Sequence, residues 1–206
     1  MPTAVTEAIT TLAEAEQLLS LSRSEDASLF TEWQQSLPGL SPTEQSALDG
    51  LHCRYLYQRS EGHLLEGIVT LLLASPLLTV AGFYDPPFKV RAEVPITLVI
   101  NDGEETLRGR IDVLVLKKHL WVVVLESKKT PLSAWSALPQ TLAYLAADPT
   151  CPSFGLLTNG DDIIFVKLAS GQYALSRVFS PLVAKQDLYT TLQVLKRLAT
   201  VVGESA

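Results

Sequence analysis

Cysteine and basic residues are scarce in this chain, and each scarcity excludes something. Two cysteines in 206 residues, Cys53 and Cys151, are too few for a disulfide framework, and no Cys-x-x-Cys spacing offers a zinc site. Both read as small core residues of a protein that works in a reducing cytoplasm. Sixteen Lys and Arg against 22 Asp and Glu leave a net charge of -6, which excludes a protein that binds nucleic acid through a uniformly basic surface. No basic segment followed by an apolar stretch opens the chain, and no run of about 18 apolar residues occurs, so neither a secretory leader nor a membrane partner is expected. Low-complexity tracts and internal repeats are absent too. What remains, 47% hydrophobic and 18% charged residues, is the composition of one globular domain with a sizeable core and a helical appendage.

Apolar periodicity supplies the order of elements. Val5, Ile9, Leu12, Ala13 and Leu19 recur at helical spacing and predict an amphipathic helix from Val5 to Leu21. Leu29, Phe30 and Trp33 predict a second helix between Asp26 and Leu37, stopped by Pro38-Gly39. Ser41-Pro42-Thr43-Glu44 is a cap, a first-turn proline and an acid, the start of a third helix running to Gln58. We therefore divide the chain into a helical N-terminal region, 1–58, and a core, 59–206. Ser60-Glu61-Gly62-His63 opens an apolar helix from Leu64 to Leu73, ending before Pro76, with Glu66 on a narrow polar stripe between His63 and Thr70.

A long strand follows from Phe88 to Ile100, and its Pro95 predicts an edge or a bulge. Asn101-Asp102-Gly103 turns it into the next strand. Pro131 to Ala147 reads as a helix with Gln140 and Tyr144 one i,i+4 step apart. Strands at Phe154–Leu157 and Ile163–Leu168 flank the turn Thr158-Asn159-Gly160-Asp161, a further strand covers Gln172 to Phe179, and a last helix spans Lys185 to Val201. The fold class is mixed α/β, a central mixed sheet with helices on both faces.

The chemistry concentrates in two adjoining strands. Arg110-Ile111-Asp112-Val113-Leu114-Val115-Leu116 and Leu120-Trp121-Val122-Val123-Val124-Leu125-Glu126-Ser127-Lys128 are oily runs into which charges are set, and an ionised group buried without a partner costs several kcal/mol. Folding back about Lys117-Lys118-His119 brings Asp112 opposite Glu126 and Lys128. Two readings fit this trio. One is an internal salt bridge. The other is a site for a hard divalent cation, Mg²⁺ or alternatively Mn²⁺, whose shared ligation would hold the two carboxylates about 4 to 6 Å apart, with the lysine beside a metal-bound water. Between Phe88 and Thr130 eight Lys and Arg face six acids, a local positive excess in an acidic chain that suits phosphate contact.

The order and spacing of these residues resemble the PD-(D/E)xK nuclease superfamily, and within it the N-terminal nuclease domain of type I restriction enzyme R subunits. The resemblance covers roughly Ser60 to Leu168 and rests on a helical acid, Glu66, on Gly109-Arg110-Ile111-Asp112, on Glu126-Ser127-Lys128, on Gln140 with Tyr144, and on Thr158-Asn159-Gly160. It implies a restriction-endonuclease-like fold and Mg²⁺-dependent hydrolysis of DNA in restriction or defence. Asp112, Glu126 and the Ser127 carbonyl would bind the metal, Glu66 would complete its shell through water, and Lys128 would position the attacking water. Gln140, Tyr144 and Arg110 would meet the nucleic acid. Glu61 is the alternative helical acid. The 206 residues contain no Gly-x-x-x-x-Gly-Lys-[Ser/Thr] loop, so a separate motor or specificity protein is the implied partner, and an oligomer is compatible with the pattern. The competing class is a nuclease-fold protein without activity, acting as a nucleic-acid-binding or assembly module.

Overall fold

A computed structural model describes residues 3–100, 105–117, 120–127, 133–147 and 152–204, with the stretches 110–117 and 120–127 described by their backbone. Its frame is a mixed sheet built from β1 (Thr3–Ala4), β2 (Ser22–Arg23), β3 (Lys89–Ile100), β4 (Glu105–Lys117), β5 (Leu120–Ser127), β6 (Ser153–Thr158), β7 (Ile163–Ala169) and β8 (Gln172–Leu175). The strand order is β1-β4-β5-β6-β7-β8-β2, with β3 paired to β4. The long hairpin β3–β4 is antiparallel from Lys89↔Leu116 to Ile100↔Glu105. Its expected turn, Asn101-Asp102-Gly103, lies outside the described residues, as do Lys118 and His119 of the next hairpin, whose arms pair at Lys117↔Leu120. Among the described residues β3 pairs with β4 alone, the edge position that Pro95 predicts. β5 and β6 run parallel, which requires a crossover, and the helix between them supplies it.

The helices are α1 (Val5–Ala8), α2 (Leu12–Leu18), α3 (Pro42–Arg59), α4 (Glu66–Val69), α5 (Ser75–Val80), α6 (Leu138–Ala146) and α7 (Lys185–Glu204). They form two layers. On one side of the sheet α3, α5 and α7 pack an aromatic core that includes Phe30, Tyr55, Phe83, Phe154, Phe165 and Phe179. On the other, α1, α2 and α6 pack a largely aliphatic core with Val5, Ile9, Leu107, Leu142, Leu157 and Ile164. The architecture is thus the mixed α/β arrangement expected, and no helix among the described residues is long and apolar enough to cross a membrane.

Several local expectations give way to competing interactions. The helix expected from Val5 to Leu21 is interrupted, because Thr11 and Glu14 form a capping box: Glu14 N donates to Thr11 Oγ1 at 3.2 Å, and Thr11 N donates to Glu14 Oε2 at 2.9 Å. The segment 26–37 holds turns in place of a helix, since Asp26 Oδ1 accepts from Ser28 N at 2.8 Å and draws the backbone into a turn. Phe30 is nonetheless buried, so the apolar spacing there reported packing. The helix expected to stop before Pro76 runs on to Val80. A π-helical turn over Thr70–Ala74 loosens the ladder just where a proline would otherwise clash with the preceding turn. Cys53 is exposed, because α3 buries Leu48, Leu51 and Tyr55 on its other side; Cys151 lies outside the described residues. The strand expected to reach Phe179 ends at Leu175, after which Phe179 makes a single bridge to Ile163.

Candidate functional site

β4 has one edge occupied along its length by β3, so β1 and β5 must share the other. β1 takes it at Leu107 and Arg108, and β5 takes it from Val113 to Lys117. Gly109-Arg110-Ile111-Asp112 falls in the interval between them. Asp112 therefore stands at the fork where β5 parts from β4. Arg110 pairs through its backbone with Pro95 of β3.

Beyond the fork β5 attaches to β6. Val124 pairs with Leu156, but the next partners are Glu126↔Leu157 and Ser127↔Thr158, so a bulge interrupts the register between Val124 and Glu126. Bulges of this kind break strict alternation and often end a pairing or re-aim a strand beside a site. The bulge was not legible in the uniform apolar run Val122–Leu125. Lys128 lies outside the described residues, as do the side chains of Arg110, Asp112, Glu126 and Ser127, and with them the expected 4 to 6 Å approach of the two carboxylates.

α6 carries Gln140 and Tyr144, and Tyr144 reaches β4. A 3-10 turn over Ala134–Ala137 leads into the helix, whose Pro139 occupies the first turn, where a missing N–H does no harm. Tyr144 is 2% exposed, and Gln140 Nε2 donates to its hydroxyl. The Tyr144 ring lies on Gly109 of β4: a Cβ added to Gly109 would come within 2.8 Å of Tyr144 Cε1 and 3.0 Å of Val5 Cγ2. A glycine in the Gly-Arg-x-Asp stretch thus lets the tyrosine approach the strand that carries Asp112. Glu66 is the first residue of α4, exposed, on a helix that packs against β5. Glu61 sits in the turn after α3 and is not on a helix.

The turn joining β6 to β7 is fixed by its own side chains. Gly160 N donates to Thr158 Oγ1 at 2.9 Å, Thr158 Oγ1 donates to the Asp162 carbonyl at 2.8 Å, and Asn159 Oδ1 accepts from Asp161 N and Asp162 N at 3.1 and 2.8 Å. α3 then grips it from outside. Tyr55 OH donates to Asp161 Oδ1 at 2.9 Å, and Arg59 meets both carboxylate oxygens, Nε at 3.0 and 3.2 Å and an Nη at 3.0 Å. Burial first, then the Asp161 carboxylate, pushes the Tyr55 phenol far above its ordinary range, so it stays a donor. Asp161 likewise raises the Arg59 guanidinium. Sequence reasoning left α3 without chemistry. The spacing of Tyr55 and Arg59, four apart on one helix face, was the available signal, but their partner lies more than a hundred residues away.

Among the described residues no three His, Cys, Asp or Glu side chains cluster as metal ligands. The donors expected from the sequence, the Asp112 and Glu126 carboxylates and the Ser127 carbonyl, are all oxygen, a set that would suit Mg²⁺ and not a thiophilic metal.

No family model matches this sequence, and no curated protein matches it. Among solved structures, a fragment assigned to the HsdR subunit of a type I restriction enzyme from Vibrio vulnificus YJ016 is similar, with a TM-score of 0.42 and 21% identity over 67% of this chain. This chain spans 26% of that one.

Proposed function

We propose that the chain is a metal-dependent nuclease core that hydrolyses DNA phosphodiester bonds, in restriction or defence. What supports this most is that three sequence motifs fall on neighbouring stretches of the paired strands β4 and β5: Asp112 at their fork, Glu126-Ser127 just past the bulge, and Gly109 beneath Tyr144. Asp112, Glu126 and the Ser127 carbonyl would hold Mg²⁺ or Mn²⁺, with Glu66 reaching it through water. When bound, the cation would polarise the scissile phosphate and lower the pKa of the attacking water. Lys128 would supply positive charge where negative charge grows on the phosphoryl oxygens. Gln140 and Arg110 would orient the lysine or contact the DNA backbone, and Tyr144, buried on Gly109, would act by holding Gln140 and β4 in place. A separate motor or specificity protein would bring DNA to this site.

The test joins Mn²⁺ calorimetry to cleavage assays on linear, supercoiled and single-stranded DNA. Lys128→Ala should keep metal binding and lower cleavage by about 10²- to 10³-fold, whereas Asp112→Ala should lose both. The net charge of -6 favours a second reading, an inactive nuclease-fold module for binding or assembly. Folded wild-type protein that neither binds Mn²⁺ nor cuts any of the three substrates would establish that reading instead.

A further inference from the structure

We infer that Tyr55 and Arg59 of α3 are positioning residues for the metal-binding end of β5, acting through Asp161; the metal part of this inference rests on the nuclease reading above. Ser127, whose carbonyl is the candidate main-chain ligand, is paired in the β5–β6 ladder with Thr158. Thr158 opens the turn whose Asp161 is held by three hydrogen bonds from Arg59 and one from Tyr55. The grip extends to the helix that carries Glu66. Gly160, at φ +93°, fits beneath Tyr55, and a Cβ there would collide with the tyrosine hydroxyl and come within 3.1 Å of Val69 Cγ2, one helical turn after Glu66. α3, α4 and the end of β5 therefore all register against one five-residue turn.

The far ends of the clamp are anchored as well. Arg59 spends a further donor on the Gly62 carbonyl at 2.9 Å, fixing the exit of α3 toward Glu66. Ser180 Oγ donates to the Asp162 carboxylate at 2.8 Å and closes the turn from the other side. Tyr55 is 1% exposed and the Arg59–Asp161 pair is about four-fifths buried, so these bonds are shielded from competing water. A planar guanidinium that contacts both carboxylate oxygens sets orientation in a way a lysine ammonium cannot. Groups bonded directly to a metal ligand typically cost about 10- to 100-fold in metal affinity when removed, and Tyr55 and Arg59, which act through Asp161 and Thr158, should cost less.

The variants Tyr55→Phe and Arg59→Lys keep the ring and the charge, respectively, while removing the hydroxyl and the two-point geometry. Hydrogen exchange should show faster amides at 126–127 and 158–162 in both, with α7 and β8 unchanged, and Mn²⁺ affinity should fall about 3- to 10-fold, below the loss for a group bonded directly to a ligand, with a small change in melting temperature. Arg59→Ala, more disruptive, should be worse than Arg59→Lys on every readout. Unchanged local exchange in both conservative variants overturns the inference, and so does exchange that rises evenly over the whole chain, which would mark a plain stability effect. Wild-type protein that binds no Mn²⁺ would overturn the nuclease reading. The exchange data would then still decide whether α3 positions the end of β5.

Discussion

The two faces of the sheet are held by different means. On the α3–α7 face, large aromatic rings fill the core, with Phe165 and Phe179 edge to face at 5.8 Å and Trp33 on Phe179 at 6.3 Å. Long-range polar contacts then staple the helices: Lys196 to Glu44 at 2.5 Å, Lys185 to Asp49 at 2.9 Å, and Arg59 to Asp161. On the α6 face one long-range hydrogen bond, Tyr173 OH to Glu16 Oε1 at 2.7 Å, ties α2 to β8, and close approach sets the rest. Gly109 receives Tyr144, and a Cβ on Gly155 would meet Thr141 Cγ2 at 2.9 Å and Leu145 Cδ1 at 3.5 Å. On the first face directional bonds between helices help set the geometry. The second has no slack where helix and strand touch, and that is the face on which Gln140 and Tyr144 sit.

The largest effect expected from this contrast is at the centre of the aromatic face. Phe165→Ala removes a ring that is 1% exposed and in contact with Phe179, and should destabilise the fold by about 3 to 5 kcal/mol in urea unfolding. A loss below about 1 kcal/mol would mean that this core can collapse around the gap, and the distinction between a filled face and a close-approach face would weaken.

Much of this division was readable in advance. The apolar runs and turn residues placed β3 to β7, and Ser41-Pro42-Thr43-Glu44 placed α3, because each depends on neighbours in sequence. The i,i+4 spacing of Gln140 and Tyr144 put both on one helix face, but neither their hydrogen bond nor the burial of Tyr144 was foreseen. What escaped depends on distant partners. The turns at 26–37 bury Phe30 and Trp33 against β6 and Phe179, so an apolar spacing that looked helical was set by the tertiary core. The clamp on Asp161 and the glycine seats under Tyr144 and Thr141 join segments far apart in the chain, and no local pattern announces them. At the candidate site the sequence named the residues, while the fork at Asp112 and the bulge before Glu126 came from the register.

A smaller effect tests the other face. Gly→Ala in a strand can stabilise a protein by about 0.4 to 1 kcal/mol through the unfolded chain. At Gly155 the contact with Thr141 Cγ2 should reverse that sign, because a threonine methyl is short and anchored to α6, giving a net loss of about 1 to 3 kcal/mol. Thr141→Ala removes the obstructing methyl together with a buried hydroxyl that has no hydrogen-bond partner. The double variant should therefore recover most of the loss. A double-mutant cycle by urea unfolding measures the coupling; additive single effects would show that α6 can lift off β6 freely, and the close-approach account of this face would fail.

The smallest effect lies in the acid response of the stapled face. Glu44 accepts from Lys196 Nζ at 2.5 Å and from Ser41 N at 2.7 Å, and these bonds hold its carboxyl below the ordinary range against the opposing pull of burial. Asp187 is lowered in the same way, first by Arg177 at 2.6 Å and then by Ser180 N at 2.8 Å. A carboxyl with a lower pKa in the folded state takes up its proton less readily than in the unfolded chain. Its contribution is therefore complete at neutral pH, begins to fall near the unfolded value of about 4, and is gone below the folded value. Both side chains are partly solvated, so each pair should contribute about 1 kcal/mol. Urea midpoints should drop between about pH 5 and pH 2, and the drop should be shallower in a Glu44→Gln, Asp187→Asn double variant than in Thr141→Ala, which alters the other face and leaves both pairs intact. Equal slopes in the two variants would mean that these staples order the helices without stabilising them, and the difference between the faces would then be one of packing alone.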